Sequence, residues 1–396
     1  MINMPVEPAI TEHMYRKATH RRIPLGGTFE ITPLCNMNCR MCYVRLSKQE
    51  QESLRALIPG SKWIELGREA VSRGMLYLLV TGGEPFSHPD VKEILAGLHS
   101  LGLVISFNTN GTLIDENVVS WLKRTPPARL NITLYGASDE TYAGLCRSSD
   151  GFTRVTRAIE LLREAGITVK LNCSLTPYNI SDLEAMVRYA ESKNLILETT
   201  AYMFPPMRKN MELIGTNDRF TAEEAAYVTA YAEWCQNGDE IYLARMKKRD
   251  FSIPSDIDDT CAEQGEGIRC RAGKSSFWVT WDGRMLPCGM VVSDDAPDVF
   301  EVGFDASWEA VKKYAESILL PAKCRNCAAK DSCRACAAMA KTETGDYGKV
   351  PKYRCDMMAA YPGALKQVES EILTGTIAKL SAKRNCESNS NNLHEP

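Results

Sequence analysis

Between about residues 27 and 202, short apolar runs alternate with longer amphipathic stretches. Period-two patterning predicts strands over 28–33, 75–81, 103–109, 129–135, 167–174 and 195–202. Helical spacing of apolar residues predicts helices near 62–73, 89–100, 115–124, 152–165 and 181–193, one in each interval. Repeated strand–helix units imply right-handed crossovers and a parallel sheet. Six of them predict an α/β fold, a partial (β/α)6 barrel open on one side.

The strands also divide into faces. Thr168, Lys170, Asn172 and Ser174 alternate with Val169, Leu171, Cys173 and Leu175. Asn131, Thr133 and Tyr135 oppose Leu130, Ile132 and Leu134, and Ser106, Asn108 and Asn110 oppose Ile105 and Phe107. Buried parallel strands are usually apolar on both faces. A polar inner face therefore predicts a barrel that holds a polar ligand. Glu30, Glu198, Tyr135 and Tyr202 fall on inner faces as candidate acid–base or relay groups.

Beyond the barrel the pattern changes. The expected organisation is an N-terminal extension (1–26), the barrel (27–215), a helical linker (216–257), a cysteine-rich domain (258–360), a C-terminal helix (361–382) and a polar, disordered tail (383–396). Helical stretches are expected near 221–236, 240–249, 306–318 and 358–379, and a hairpin turning at Asp282-Gly283. No internal repeat is present.

Composition narrows the class. The 396 residues are 44% hydrophobic and 24% charged with net charge −3, an ordinary globular balance that gives no reason to expect nucleic acid. No apolar run approaches a membrane span, and the N-terminus lacks a signal-peptide pattern, so a cytoplasmic protein is expected. Fifteen cysteines are many for such a chain, and they cluster: three at 35–42 and eight between Cys261 and Cys355. In a reducing compartment, clustered thiols point to metal.

Cys35, Cys39 and Cys42 are spaced C-x3-C-x2-C just after the first strand. Iron–sulfur clusters normally take four thiolates, so three close ones leave one iron open for chemistry. A structural zinc site is the alternative, but zinc wants four ligands and no fourth Cys or His lies close downstream. The second strand ends in Gly82-Gly83-Glu84-Pro85, where glycines let backbone approach a ligand.

With these motifs the chain resembles the radical S-adenosylmethionine (SAM) superfamily over roughly residues 27–360. The resemblance implies that Cys35, Cys39 and Cys42 bind a catalytic [4Fe–4S] cluster whose open iron is chelated by S-adenosyl-L-methionine. It implies that Gly82, Gly83, Glu84 and Pro85 meet the methionine amine. Asn108, Asn110, Thr133 and Ser174 would contact the ribose, sulfonium and carboxylate regions, and Arg147 would partner a carboxylate. One-electron cleavage would then yield a 5′-deoxyadenosyl radical that abstracts hydrogen from an unactivated C–H bond, inside a barrel that excludes water.

The later cysteines run Cys261, Cys270, Gly283, Cys288, then Cys324-x2-Cys327-x5-Cys333-x2-Cys336, then Cys355. A zinc ribbon also fits two C-x2-C pairs. The order resembles the auxiliary-cluster extension called a SPASM domain, with x2 in place of x3 before Cys336. The resemblance implies one auxiliary [4Fe–4S] cluster on Cys261, Cys270, Cys288 and Cys336 and a second on Cys324, Cys327, Cys333 and Cys355, three clusters in all. Cys173 is expected in the core, with Cys146 and Cys235 inert.

Proteins with this extension mostly oxidise or crosslink peptides, so the implied function is hydrogen abstraction from a peptide or protein. Thioether or C–C crosslinks would form with the auxiliary clusters accepting electrons. A radical enzyme acting on a small metabolite and a non-catalytic iron–sulfur or zinc protein are the alternatives. Gly289 stands where sulfatase-maturating members carry an aspartate, which argues against that branch. Only about 27 residues precede the barrel, so any leader recognition is expected from a separate leader-recognition protein or from the barrel itself. A reductant such as flavodoxin or ferredoxin is expected as a partner. The basic segment from His13 to Arg22 is read either as an acidic-peptide site or as a solvated helix end.

Overall fold

The computed structural model describes residues 9–249, 267–293, 295–325 and 327–377. Cys261 and the tail 383–396 lie outside the described residues. Six parallel strands follow one another in the sheet: β1 (Gly26–Glu30), β2 (Tyr77–Thr81), β3 (Val104–Thr109), β4 (Arg129–Thr133), β5 (Val169–Ser174) and β6 (Leu197–Thr200). Helices Gly60–Ser72, Val91–Ser100, Glu116–Leu122, Gly151–Glu164 and Leu183–Ser192 lie between them in the chain. Helix Asp139–Cys146, also between β4 and β5, is an addition that the apolar pattern does not predict.

Each strand turns its apolar positions to the helices. Along β5, Val169, Leu171 and Cys173 are buried, while Lys170, Asn172 and Ser174 are only partly covered. Phe29, Trp63, Leu78, Ile94, Leu98, Phe107 and Ile132 belong to the continuous core that results.

The sheet does not stop at six strands. The hairpin β7 (Ser276–Val279) and β8 (Met285–Leu286) forms where the pattern predicts it, but it joins the barrel. β7 pairs in parallel with β1, and β8 closes the edge antiparallel, giving the order β6-β5-β4-β3-β2-β1-β7-β8. An uncovered β1 would present an open edge. Instead Phe277 packs on Phe29 with ring centroids 6.4 Å apart.

Two elements frame this sheet. Helix α1 (Ala9–Arg21) lies at the start of the strands, where Tyr15 stacks on Tyr77 at 5.6 Å. On the other side, helix Ala222–Met246, broken at Gly238 (φ 72°), packs along helix Lys352–Thr374. The latter begins earlier than the pattern predicts, so Cys355 sits in its first turn. The rest of the cysteine-rich region is helix Phe304–Ser317, shorter helices and loops around a small second core that includes Ile268, Val291, Ala315, Ile318 and Ala337.

Candidate active site

The C-terminal ends of the strands open onto a cavity of about 600 Å³. The three-cysteine loop forms one wall, with Cys35, Cys39 and Cys42 all lining it. The polar strand ends Thr81, Gly82, Gly83, Asn108, Thr109, Asn110, Thr133, Ser174 and Thr200 line it too. Met41, Met203, Phe204, Met290 and Met339 make a third, apolar side, beside Tyr135, Tyr202 and Arg354.

The loop is held by backbone groups that helix and strand ends leave unused. Helix Asp139–Cys146 stops at Arg147, whose backbone is left-handed (φ 55°). Terminal helix carbonyls have no partner of their own. Here Cys146 O accepts from Asn38 N (3.0 Å) and Leu145 O from Arg40 N (3.1 Å). On the other flank, Gly83 N donates to Thr32 O (2.7 Å) and Glu84 N to Leu34 O (2.8 Å). A Cβ at Gly82 would lie 2.4 Å from Thr32 O and one at Gly83 2.5 Å from Leu34 O, so neither position accepts a side chain without moving backbone.

The sulfurs accept N–H groups, as thiolate ligands do. Met37 N donates to Cys35 Sγ (3.4 Å), Asn110 Nδ2 to Cys35 Sγ (3.6 Å) and Arg45 N to Cys42 Sγ (3.3 Å). Burial outweighs these bonds and opposes the charged form. It pushes the Cys35 thiol up to about 12 and raises Cys42 as well. Cys39 is shifted the other way, first by a hydrogen bond from the buried thiol of Cys146. Cys146 is thus a neighbour of the loop. Spacing offers no signal of this, since helix Asp139–Cys146 alone brings it there.

Glu84 is fully buried and does not line the cavity. Its carboxylate accepts Thr109 Oγ1 (2.7 Å), Asn110 N (2.7 Å) and Phe86 N (3.1 Å), tying the end of β2 to the end of β3. Burial raises its carboxyl to about 7 against those three donors. Pro85 is buried behind the same wall. Arg147 is exposed and does not reach the cavity; its place is the helix stop.

Other candidates separate as clearly. Tyr135 and Tyr202 line the cavity. Glu198 is exposed, does not line the cavity and pairs with Lys170. Glu30 is buried, but bidentate bonds from Arg208 (2.9 and 2.8 Å) and one from Trp278 Nε1 (3.1 Å) satisfy it. A Cβ at Gly289 would meet the Trp278 indole at 2.7 Å, so the indole fills the space of any side chain there. Asn131 Oδ1 and Asn172 Oδ1, on the polar strand faces, are buried with no hydrogen-bond partner.

The later cysteines fall into two groups by the charges they feel. Cys288 is pushed up to about 11, by burial first and then by Cys270 and Cys336. Cys355 is pushed up to about 11, by burial first and then by Cys324, Cys333 and Cys327. A second cavity, of about 560 Å³, lies beside Cys270 and Cys288.

A parallel barrel thus carries three cysteines at the mouth of a polar, strand-end cavity. Residues 29–190 match the Radical SAM superfamily. The chain is 24% identical to the AdoMet-dependent heme synthase of Methanosarcina barkeri, covering 81% of this chain and 93% of that protein. It is also 24% identical to the PqqA peptide cyclase of Gluconobacter oxydans, over 81% and 87%. Its fold is similar to that of Streptococcus suis SuiB bound to the precursor peptide SuiA, with TM-score 0.63, 17% identity, and 90% and 82% coverage.

Proposed function

We propose that this radical SAM enzyme abstracts hydrogen from a peptide or protein and leaves it oxidised or crosslinked. The observation that carries the reading is the single cavity on which the thiolate loop, the polar strand ends and an apolar wall converge. When bound, a [4Fe–4S] cluster on Cys35, Cys39 and Cys42 with S-adenosylmethionine supplies a hydrogen-abstracting 5′-deoxyadenosyl radical.

The chain's residues do the positioning. Gly82 and Gly83 bring bare backbone to the cavity, and Asn108, Asn110, Thr133 and Ser174 offer polar groups to the cofactor. Unpaired Asn131 Oδ1 and Asn172 Oδ1 fit a barrel that takes polar ligands. The methionine and aromatic side receives the substrate side chain and keeps water from the reacting carbon; methionine suits varied apolar partners. Arg147 has no cofactor role in this reading, and Glu84 acts by joining two strand ends.

Cys270, Cys288 and Cys336, with Cys261, hold one auxiliary cluster, and Cys324, Cys327, Cys333 and Cys355 hold the other. The two groups of mutually influencing thiols support that division. Oxidation removes two hydrogens from the substrate. One would leave as an atom, giving 5′-deoxyadenosine, and the other as a proton plus an electron for which a cluster held by these cysteines would be the acceptor. A PqqA peptide cyclase among the relatives favours a peptide, while a heme synthase keeps a small metabolite as the second reading.

The test is anaerobic incubation of the reconstituted enzyme, S-adenosylmethionine and reductant with short peptides encoded beside its gene. Substrate-dependent deoxyadenosine and a peptide lighter by two hydrogens are expected. Turnover of a porphyrin or other metabolite with every peptide inert would favour the second reading.

A further inference from the structure

Arg354 is the one Asp, Glu, Lys or Arg, among the described residues, that lines the strand-end cavity. It stands in the first turn of helix Lys352–Thr374, where the helix dipole disfavours a cation, so the helix gives no reason for the charge. A guanidinium offers five N–H donors and keeps its proton. Nε (3.2 Å) and Nη2 (2.6 Å) of Arg354 donate to Cys333 O, and Nη1 donates to Met357 Sδ (3.3 Å). Neither acceptor carries a charge. One N–H on each terminal nitrogen is left without an acceptor among the described residues. The neighbouring acids are already engaged. Glu343 takes both Arg219 nitrogens (2.7 and 2.8 Å) and Tyr202 Oη (2.8 Å), and Asp356 pairs with Lys352 (2.7 Å).

The place of this cation decides what it meets. Its guanidinium lies 5.8 Å from the centre of the Tyr202 ring, two residues past the end of β6, on the side of the cavity that carries Met203 and Met339. Gly82 and Gly83 follow β2, four strand steps away in the sheet at about 4.8 Å each. The amine and the carboxylate of S-adenosylmethionine share one carbon. A cofactor whose amine meets the glycine pair therefore does not bring its carboxylate to Arg354.

We propose that Arg354 binds a carboxylate of the substrate and thereby selects a peptide with an acidic side chain or a free C-terminus at the reacting segment. The inference rests on the reading of this cavity as the place where a peptide loses hydrogen. A planar guanidinium takes both oxygens of a carboxylate, which fixes orientation as well as charge. The apolar wall of methionines supplies contact but no direction, so the single cation sets which way the substrate lies. The bonds from Arg354 to Cys333 O hold the guanidinium in place before the carboxylate arrives.

The test uses the full-length, iron-loaded enzyme with S-adenosylmethionine bound and three alanine pentapeptides, N-acetylated. Two are C-amidated with a central Glu or Gln, and the third has a free C-terminus. Calorimetry should show the Glu peptide, the free-terminus peptide or both binding about tenfold or more tighter than the Gln peptide, and which of the two does so names the source of the carboxylate. That preference should vanish in Arg354→Gln and return in part in Arg354→Lys, a pattern that a purely structural arginine does not give. The parent comparison stands even if a variant fails to fold. Equal binding of all three peptides by the parent, no binding of either carboxylate, or a preference kept in Arg354→Gln would overturn the proposal. So would weaker S-adenosylmethionine binding in Arg354→Gln with the peptide preference unchanged, which would give the cation to the cofactor. An enzyme that prefers the carboxylates yet oxidises no peptide would support this site and remove the peptide reading instead.

Discussion

The barrel and the cysteine-rich region both gather thiols, but they hold them differently. In the barrel, Cys35, Cys39 and Cys42 hang from strand and helix ends whose backbone bonds are made without metal, over a core that includes Phe29, Trp63 and Phe107. In the later region, Cys324, Cys327 and Cys333 ride on single-turn helices and loops beside a small core. A site built on regular structure is preorganised, whereas one built on short loops depends on its ligand for order. The first arrangement suits chemistry that needs an open coordination position. The second suits closed clusters that store or pass electrons.

The largest expected effect separates the two regions. Cys35→Ser should lower deoxyadenosine formation to background, remove about a third of the iron and leave the unfolding midpoint near the parent's. Cys333→Ser should also lose about a third of the iron, but it should open residues 320–345 to limited proteolysis while the barrel stays resistant. Equal protease resistance in both variants would erase the distinction.

Next comes the join between the regions. Glu30 on β1 is bound by Arg208 and by Trp278 of β7. Glu30→Ala leaves a buried guanidinium unpaired and should cost about 3–5 kcal/mol in denaturant unfolding. Glu30→Gln with Arg208→Met should recover most of it, because the buried charge is then gone.

A smaller effect sits inside the barrel. The Glu84 carboxyl lies at about 7 in the fold against an ordinary 4.5, so the folded state holds the proton more tightly than the unfolded chain. Its contribution is therefore full below about pH 4.5 and is lost as pH rises toward 7, by at most about 1.4 kcal/mol per pH unit. Glu84→Gln should flatten that slope in unfolding measured across pH. The smallest change is at the apolar wall. Met339→Ala should weaken peptide binding about fivefold with kcat kept, read as a KM shift.

The sequence reveals much of the barrel. Strands fall within three residues of their predicted places because each needs one face on the helices, and alternation records that need. The thiolate loop and the glycine pair are legible because their chemistry requires close spacing. Contacts made only by topology are not. Nothing along the chain announces that Cys146 meets Cys39, that β7 continues the sheet from β1, or that Arg208 neutralises Glu30. Nor does the chain announce that Arg147 ends a helix and stays exposed.

The central claim is that the three-thiol loop and the strand-end cavity work as one radical-generating site. Its most direct test is anaerobic reconstitution with iron and sulfide, followed by dithionite and S-adenosylmethionine, with deoxyadenosine measured against iron content. The account predicts about twelve irons per chain and deoxyadenosine that vanishes in Cys35→Ser. Zinc in place of iron, or a fully loaded protein that forms no deoxyadenosine, would contradict it.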